Sequence, residues 1–366
     1  MKKKIFALVC AAAMAVSFVG CGAKPAPAPS SQAAPAVSSQ PAPESKPAES
    51  KPAEEKPTPV DLKVMALKGP TAMGMVKMMD DVDNGNIKSN NYSFTLAGAI
   101  DEVTPKLVKG EVDIAAVPAN LSSVLYNNTK GQVKVLAVNT LGVIYIVESG
   151  ENVKTVEDLR GKTVYASGKG ATPEYGLNYV LEKNGIYPAA DLTIEWKSEH
   201  AECLTALIAD PNAIAMLPQP FVTTAQMKND GIRVALDLTE EWEKLQTGED
   251  KSMMITGVVV ARADFIEKNP EQVMRMVRAH KQATEELNKD QAKWLSTASS
   301  MFGIDHTLLL DAADNMELAW DMDDIFMSRL QALGKRMLEL GMIKKEPDYD
   351  KLVDRRFVEA VRNEAR

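Results

Sequence analysis

Lys68-Gly69-Pro70-Thr71 and Lys169-Gly170-Ala171-Thr172 write lysine-glycine-x-threonine twice, about a hundred residues apart. A lysine, a glycine free to turn tightly and a threonine able to cap a helix make a combination suited to an anionic or electron-rich group at a helix start. The surrounding text repeats at nearly the same offset. Ile114-Ala115 and Pro118 align with Ile214-Ala215 and Pro218, and Glu102 and Leu107 align with Glu202 and Leu207. Other reactive side chains are sparse. The 3 histidines are His200, His280 and His306, none in a repeated loop, and HExxH, GxSxG and CxxC are absent. His200 precedes Cys203 by one helical turn, which would set a base beside a thiol. The apolar run around Cys203 fits a small buried thiol better. Asp321, Asp323 and Asp324 cluster without the turn glycine and distal glutamate of a calcium loop, and read as a solvated helix face.

The elements that must carry these loops follow from periodicity. The first unit reads as strand 62–67, helix to about Asp81, strand 92–97, helix 101–109, strand 112–117 and helix 121–127. One long strand, 133–149, carries the chain onward. The second unit repeats the scheme as strand 163–166, helix 173–184, strand 193–196, helix 199–209, strand 214–217 and a helix from about Val222. An apolar strand from Met253 then returns toward the first unit, and amphipathic helices fill the remainder. Alternation of β-branched runs with helical patterns makes βαβ units, and two such lobes joined by two crossings enclose a cleft at the carboxyl ends of their strands. Both lysine-glycine loops fall there, with Thr71 and Thr172 placed to cap the helices that follow.

The ends are different in kind. Lys2, Lys3 and Lys4, an apolar run from Ile5 to Val19 and Gly20-Cys21 have the layout of a secretory signal, 1–20. Residues 21–60 are almost wholly Pro, Ala, Ser, Glu and Lys and cannot bury a core, so they read as a tether with a reach on the order of 120 Å. A net charge of −8, more acidic once the signal lysines are gone, and the lack of a basic stripe exclude a nucleic-acid partner. Cys10 leaves with the signal, and Cys203 is left without a disulfide partner.

"SGKGATPEYGLNYVLEKNGI", "KGEVDIAAVPAN" and "VVVARADFIEKNPEQV" together resemble the solute-binding proteins of ABC importers for sulfonates, taurine, nitrate and thiamine-precursor pyrimidines. "FVGC" resembles a lipobox, with Phe18 in place of the usual leucine. The resemblance implies an α/β fold of the two-lobed type II periplasmic-binding class, each lobe a mixed sheet flanked by helices, with two hinge crossings. It also implies lipid on Cys21 and attachment to the outer face of the cell membrane. The partners would be a small polar or anionic solute and an ABC permease with its ATPase, with the chain acting as a monomer and without a cofactor or metal. Lobe 1 would take 61–147 and the return and C-terminal helices 254–366, with lobe 2 at 148–253. Carried over by position, the ligand-facing residues are Lys68, Gly69, Pro70, Thr71, Ala99, Asp101, Asn120 and Thr140, then Ser167, Lys169, Gly170, Thr172, Tyr175, Glu199, Gln219 and Phe221, then Thr256 and Gly257. The alternatives are an enzyme of the same fold, as in the menaquinone-pathway dehydratases, and a ligand-sensing receptor head.

Overall fold

The computed structural model describes residues 58–247, 251–290, 298–301 and 318–364. The signal, Cys21, the tether to residue 57 and His306 lie outside them. In chain order, the first lobe opens with β1 (Asp61–Leu67), α1 (Pro70–Met73), α2 (Val76–Asp83), β2 (Asn91–Ala97), α3 (Ile100–Lys109), β3 (Ile114–Pro118), α4 (Ala119–Asn128) and β4 (Val133–Thr140). The second holds β5 (Ile144–Ser149), a 3-10 turn (Val156–Leu159), β6 (Thr163–Ser167), α5 (Thr172–Lys183), β7 (Thr193–Lys197), α6 (His200–Ala209), β8 (Ile214–Pro218), α7 (Phe221–Lys228), β9 (Ile232–Asp237) and α8 (Leu238–Lys244). The chain returns through β10 (Gly257–Arg262), α9 (Ala263–Lys268) and α10 (Pro270–Lys289), and ends in α11 (Asp324–Glu339), α12 (Tyr349–Leu352) and α13 (Arg356–Asn363).

The two five-stranded sheets have the same topology, β2-β1-β3-β10-β4 and β7-β6-β8-β5-β9. β1 runs parallel to β2 and β3, and β6 parallel to β7 and β8, as the βαβ pattern requires. The fourth strand of each sheet is antiparallel and comes from the other side of a crossing. β10 pairs with β3 and β4, and β5 pairs with β8 and β9. Both sheets belong to one compact unit and are mixed. The central strands Ile114–Pro118 and Ile214–Pro218 are buried at every residue because helices cover both faces. Cys203 is fully buried in the second lobe's core beside Leu207 and Leu217.

Four local expectations change. The apolar run 133–149 is two strands in different sheets, parted at Leu141-Gly142-Val143, so the crossing precedes β5 and falls short of residue 147. A β-branched run carries no mark of a change of sheet; the glycine does, because a Cβ at Gly142 would overlap the Thr239 side chain. The helix expected from the first repeated loop to Asp81 is broken into α1 and α2 at Gly74, which packs against His280 and Thr284. β9 and α8 add a strand and a helix to the second repeat, and Asp237 caps α8 by accepting from Thr239 N at 2.7 Å. The acidic cluster is spent on structure. Asp323 caps α11 through Phe326 N at 2.8 Å, Asp324 pairs with Arg355 at 2.8 Å and Asp321 pairs with Arg362.

His280, on α10, is 2% exposed, and its Nε2 has no hydrogen-bond partner among the described residues. Burial pushes its imidazole down from 6.5 to about 4. The unfolded chain therefore takes up a proton that the fold resists, so this contribution to stability is complete above pH 6.5 and is lost as pH falls toward 4. Urea unfolding at pH 7 and at pH 5 should show a loss on the order of 1–2 kcal/mol from this group, and His280→Leu should flatten that part of the slope.

Candidate functional site

The parallel strands of both lobes end at one cleft of about 360 Å³. β1 delivers Lys68, β2 delivers Gly98 to Asp101, and β3 delivers Pro118. From the other lobe β6 delivers Ser167 to Lys169, and β7 delivers Lys197 to His200. Of the residues read from the sequence, Lys68, Ala99, Asp101, Ser167, Lys169 and Glu199 line this cleft. Lys68 and Lys169 are exposed and have no ion-pair partner among the described residues. Lys197 lies 3.2 Å from Glu195 and 5.0 Å from the Tyr165 ring centre.

Asn120 joins the lobes. It is 1% exposed, donates from Nδ2 to the Gly170 carbonyl at 2.9 Å, and accepts at Oδ1 from Thr172 Oγ1 at 3.2 Å. Tyr175 lies beside the same side chain, and burial holds its phenol above the usual range. Asn120, Thr172 and Tyr175 wall a separate apolar void of about 10 Å³ with Trp242 and Met254. A second junction forms where Phe221 approaches Gly69, whose Cβ, were there one, would stand 4.0 Å from the ring. Gly69 has φ +112, so a side chain there would be strained.

Neither repeated threonine caps a helix. α1 starts at Pro70 with Gly69 as its cap residue, and Thr71 Oγ1 donates to the Leu67 carbonyl at 3.1 Å. α5 starts at Thr172 itself, behind Ala171, and the Gly170 amide donates to Glu174 Oε2 at 2.6 Å. Each hydroxyl donates to an oxygen, at Leu67 and at Asn120, instead of accepting from an amide of its own helix. Several expected ligand contacts are instead supports lying behind the loops. Asn139 donates to the Thr71 carbonyl at 2.8 Å, Thr140 Oγ1 lies 3.4 Å from the Pro70 carbonyl, and a Cβ at Gly257 would stand 2.6 Å from Asn139 Oδ1. Gln219 Oε1 accepts from Thr223 Oγ1 at 3.1 Å and from Thr223 N at 3.3 Å. Thr256 is buried, and its Oγ1 has no partner among the described residues.

His200 lines the cleft, against the expectation that no histidine belongs there. It opens α6 directly after β7, and its ring folds back so that Nδ1 lies 2.5 Å from Ser167 Oγ and its centre 5.3 Å from that of Phe221. The signal was available: Lys197-Ser198-Glu199-His200 stands in the second repeat where Ala97-Gly98-Ala99-Ile100 stands in the first. Ser167 also stands near the Cys203 thiol and lowers its pKa slightly against the effect of burial. Burial lowers the imidazole to about 4 and raises the thiol to about 11, so at pH 7 the base is neutral and the sulfur protonated. No charge separation activates this thiol, and the lysines and helix starts around it are suited to holding a solute. Among the described residues no cluster of His, Cys, Asp and Glu is placed to hold a metal ion, and no helix is long and apolar enough to cross a membrane.

The sequence profile described as NMT1/THI5 like matches residues 133–293. No curated protein matches the chain by sequence. Solved structures do match in fold. The periplasmic aliphatic sulphonate binding protein SsuA of Escherichia coli has a TM-score of 0.65 at 17% identity, covering 81% of this chain and 93% of its own. The alkanesulfonate-binding protein SsuA of Xanthomonas axonopodis pv. citri, bound to MOPS, has 0.64 at 16% identity, covering 81% and 99%. The periplasmic nitrate-binding protein NrtA of Synechocystis PCC 6803 has 0.63 at 14% identity, covering 83% and 88%. The chain is thus NMT1/THI5 like over residues 133–293 and has the two-lobed α/β fold of these periplasmic binding proteins.

Proposed function

We propose that this chain is an extracytoplasmic solute-binding lipoprotein of an ABC importer, which captures a small oxyanion between its lobes and delivers it to a permease and its ATPase. One observation carries the reading: Lys68 and Lys169, the same position of a repeated loop, stand on opposite walls of one cleft with no ion-pair partner among the described residues. An anion between them is attracted by both walls, so its binding energy favours the approach of the lobes. Salt screens the acidic surface beyond about 8 Å, whereas the two ammonium groups act at contact. The fold neighbours that bind sulfonates and nitrate support the class of solute. An enzyme of the same fold has less to recommend it, because the neutral His200 and protonated Cys203 lack an activating charge. In this reading the chain is a monomer with a signal at 1–20, lipid on Cys21 and a tether that holds it on the outer face of the membrane, with lobe 1 in 61–147 and 254–366 and lobe 2 in 148–253, apart from the earlier crossing at Gly142.

Methanesulfonate and nitrate, each titrated to 10 mM, are the probes of choice. At least one should raise the melting temperature by mass action, and Lys68→Ala and Lys169→Ala should each weaken its binding roughly ten-fold. No shift with either anion sinks the oxyanion reading. Separately, Cys21→Ala should move the protein from the membrane fraction to the soluble fraction; unchanged sedimentation with membranes removes the lipid anchor.

A further inference from the structure

The cleft holds one side chain whose part in binding the repeated loops do not explain. His200 faces the cleft from the second lobe, with Nδ1 held by Ser167 at 2.5 Å and the ring set against Phe221. Which nitrogen carries the proton follows from where the Ser167 proton goes. Ser167 is 1% exposed, so its hydroxyl proton needs an acceptor within the protein. Among the described residues the hydrogen-bond partner of that hydroxyl is His200 Nδ1, with the Cys203 thiol nearby. A thiol is a weak acceptor but carries a proton of its own to give, whereas an unprotonated imidazole nitrogen is a strong acceptor. The consistent arrangement has Ser167 O–H donating to Nδ1. The neutral ring must then hold its proton on Nε2.

We propose that His200 is a specificity-determining residue of the cleft, locked by Ser167 as the Nε2–H tautomer so that it presents an uncharged hydrogen-bond donor to an acceptor oxygen of the bound solute. The inference rests on the oxyanion reading and refines it. Lys68 and Lys169 attract any anion, while a fixed neutral donor selects one with an oxygen directed at the β7 end of the second lobe. Ser167, expected from sequence to touch the solute, becomes a positioning residue. A neutral donor also leaves the total charge of the site unchanged when the solute departs, which an imidazolium would not.

Two measurements on the mature full-length protein decide this. With ¹⁵N-labelled histidine, long-range ¹H–¹⁵N correlation at pH 7, assigned by the signal lost in His200→Gln, should show His200 as Nε2–H, and Ser167→Ala should release it into tautomer exchange. An Nδ1–H pattern in the wild type overturns the proposal. Calorimetry with methanesulfonate and nitrate should show His200→Leu weakened five- to ten-fold for the anion that binds, with His200→Gln, which keeps an N–H donor, within about three-fold of wild type. Melting curves of both variants guard against a folding defect, which would weaken Gln and Leu alike. Wild-type affinity in His200→Leu overturns the inference and leaves the oxyanion reading standing. Failure of both anions to bind the wild type overturns the oxyanion reading and this inference with it.

Discussion

The structure depends on the exchange of one strand between the two sheets. β10 lies antiparallel between β3 and β4, and β5 lies antiparallel between β8 and β9. Without β10 the buried edge of β3 would expose a row of unpaired amides and carbonyls, and without β5 the same would hold for β8. The repeated unit supplies only three strands of each sheet. Of the other two, β4 and β9 follow within their own lobes, while β10 and β5 arrive through the crossings, so each lobe is completed by a strand from beyond a crossing. The facing of the repeated loops follows from this, because identical topologies joined through equivalent strands direct equivalent strand ends toward one gap.

Within that gap, the chemistry is set by what has been neutralised. The chain as a whole carries an excess of acid, at −8, yet the two repeated lysines reach the cleft without carboxylate partners among the described residues. Close by, a serine, an imidazole and a thiol lie near one another, a set of residue types that elsewhere performs acyl transfer. Here all three are uncharged: the imidazole has lost its affinity for a proton and the thiol has kept its own. A nucleophile needs a neighbour that takes its proton, and burial has removed that driving force. What remains is a set of oriented donors.

The doubled lysine-glycine loops were legible because the repeat carried them as text, and the three parallel strands of each lobe because β-branched runs alternate with helical periods. The ends of β4 and β5 were not. Val133 to Ser149 reads as one apolar stretch, and only the crowding of Gly142 by Thr239, a contact across nearly a hundred residues, shows the change of sheet. Thr71 and Thr172 obeyed the local rule for helix caps in sequence, but their hydroxyls donate to the Leu67 carbonyl four residues back and to the Asn120 side-chain oxygen that tertiary packing brings near. His200 escaped notice for the opposite reason. It belongs to the second repeat's counterpart of a loop already assigned in the first, but its own neighbours spell an ordinary helix start.

The Asn120 junction has a bearing on how the cleft releases what it holds. It consists of two neutral hydrogen bonds, one to a backbone carbonyl at Gly170 and one to the Thr172 hydroxyl. Neutral bonds of this kind contribute about 1 kcal/mol each, so the pair biases the lobes toward contact by roughly thirty-fold. That is small beside the binding energy of a micromolar solute, about 8 kcal/mol. In the proposed solute-binding role, occupancy rather than the clasp therefore governs how long the lobes stay together. Because half of the clasp is a main-chain carbonyl, residue 170 can change its side chain without losing it, provided the backbone keeps the φ of +77 that glycine tolerates best.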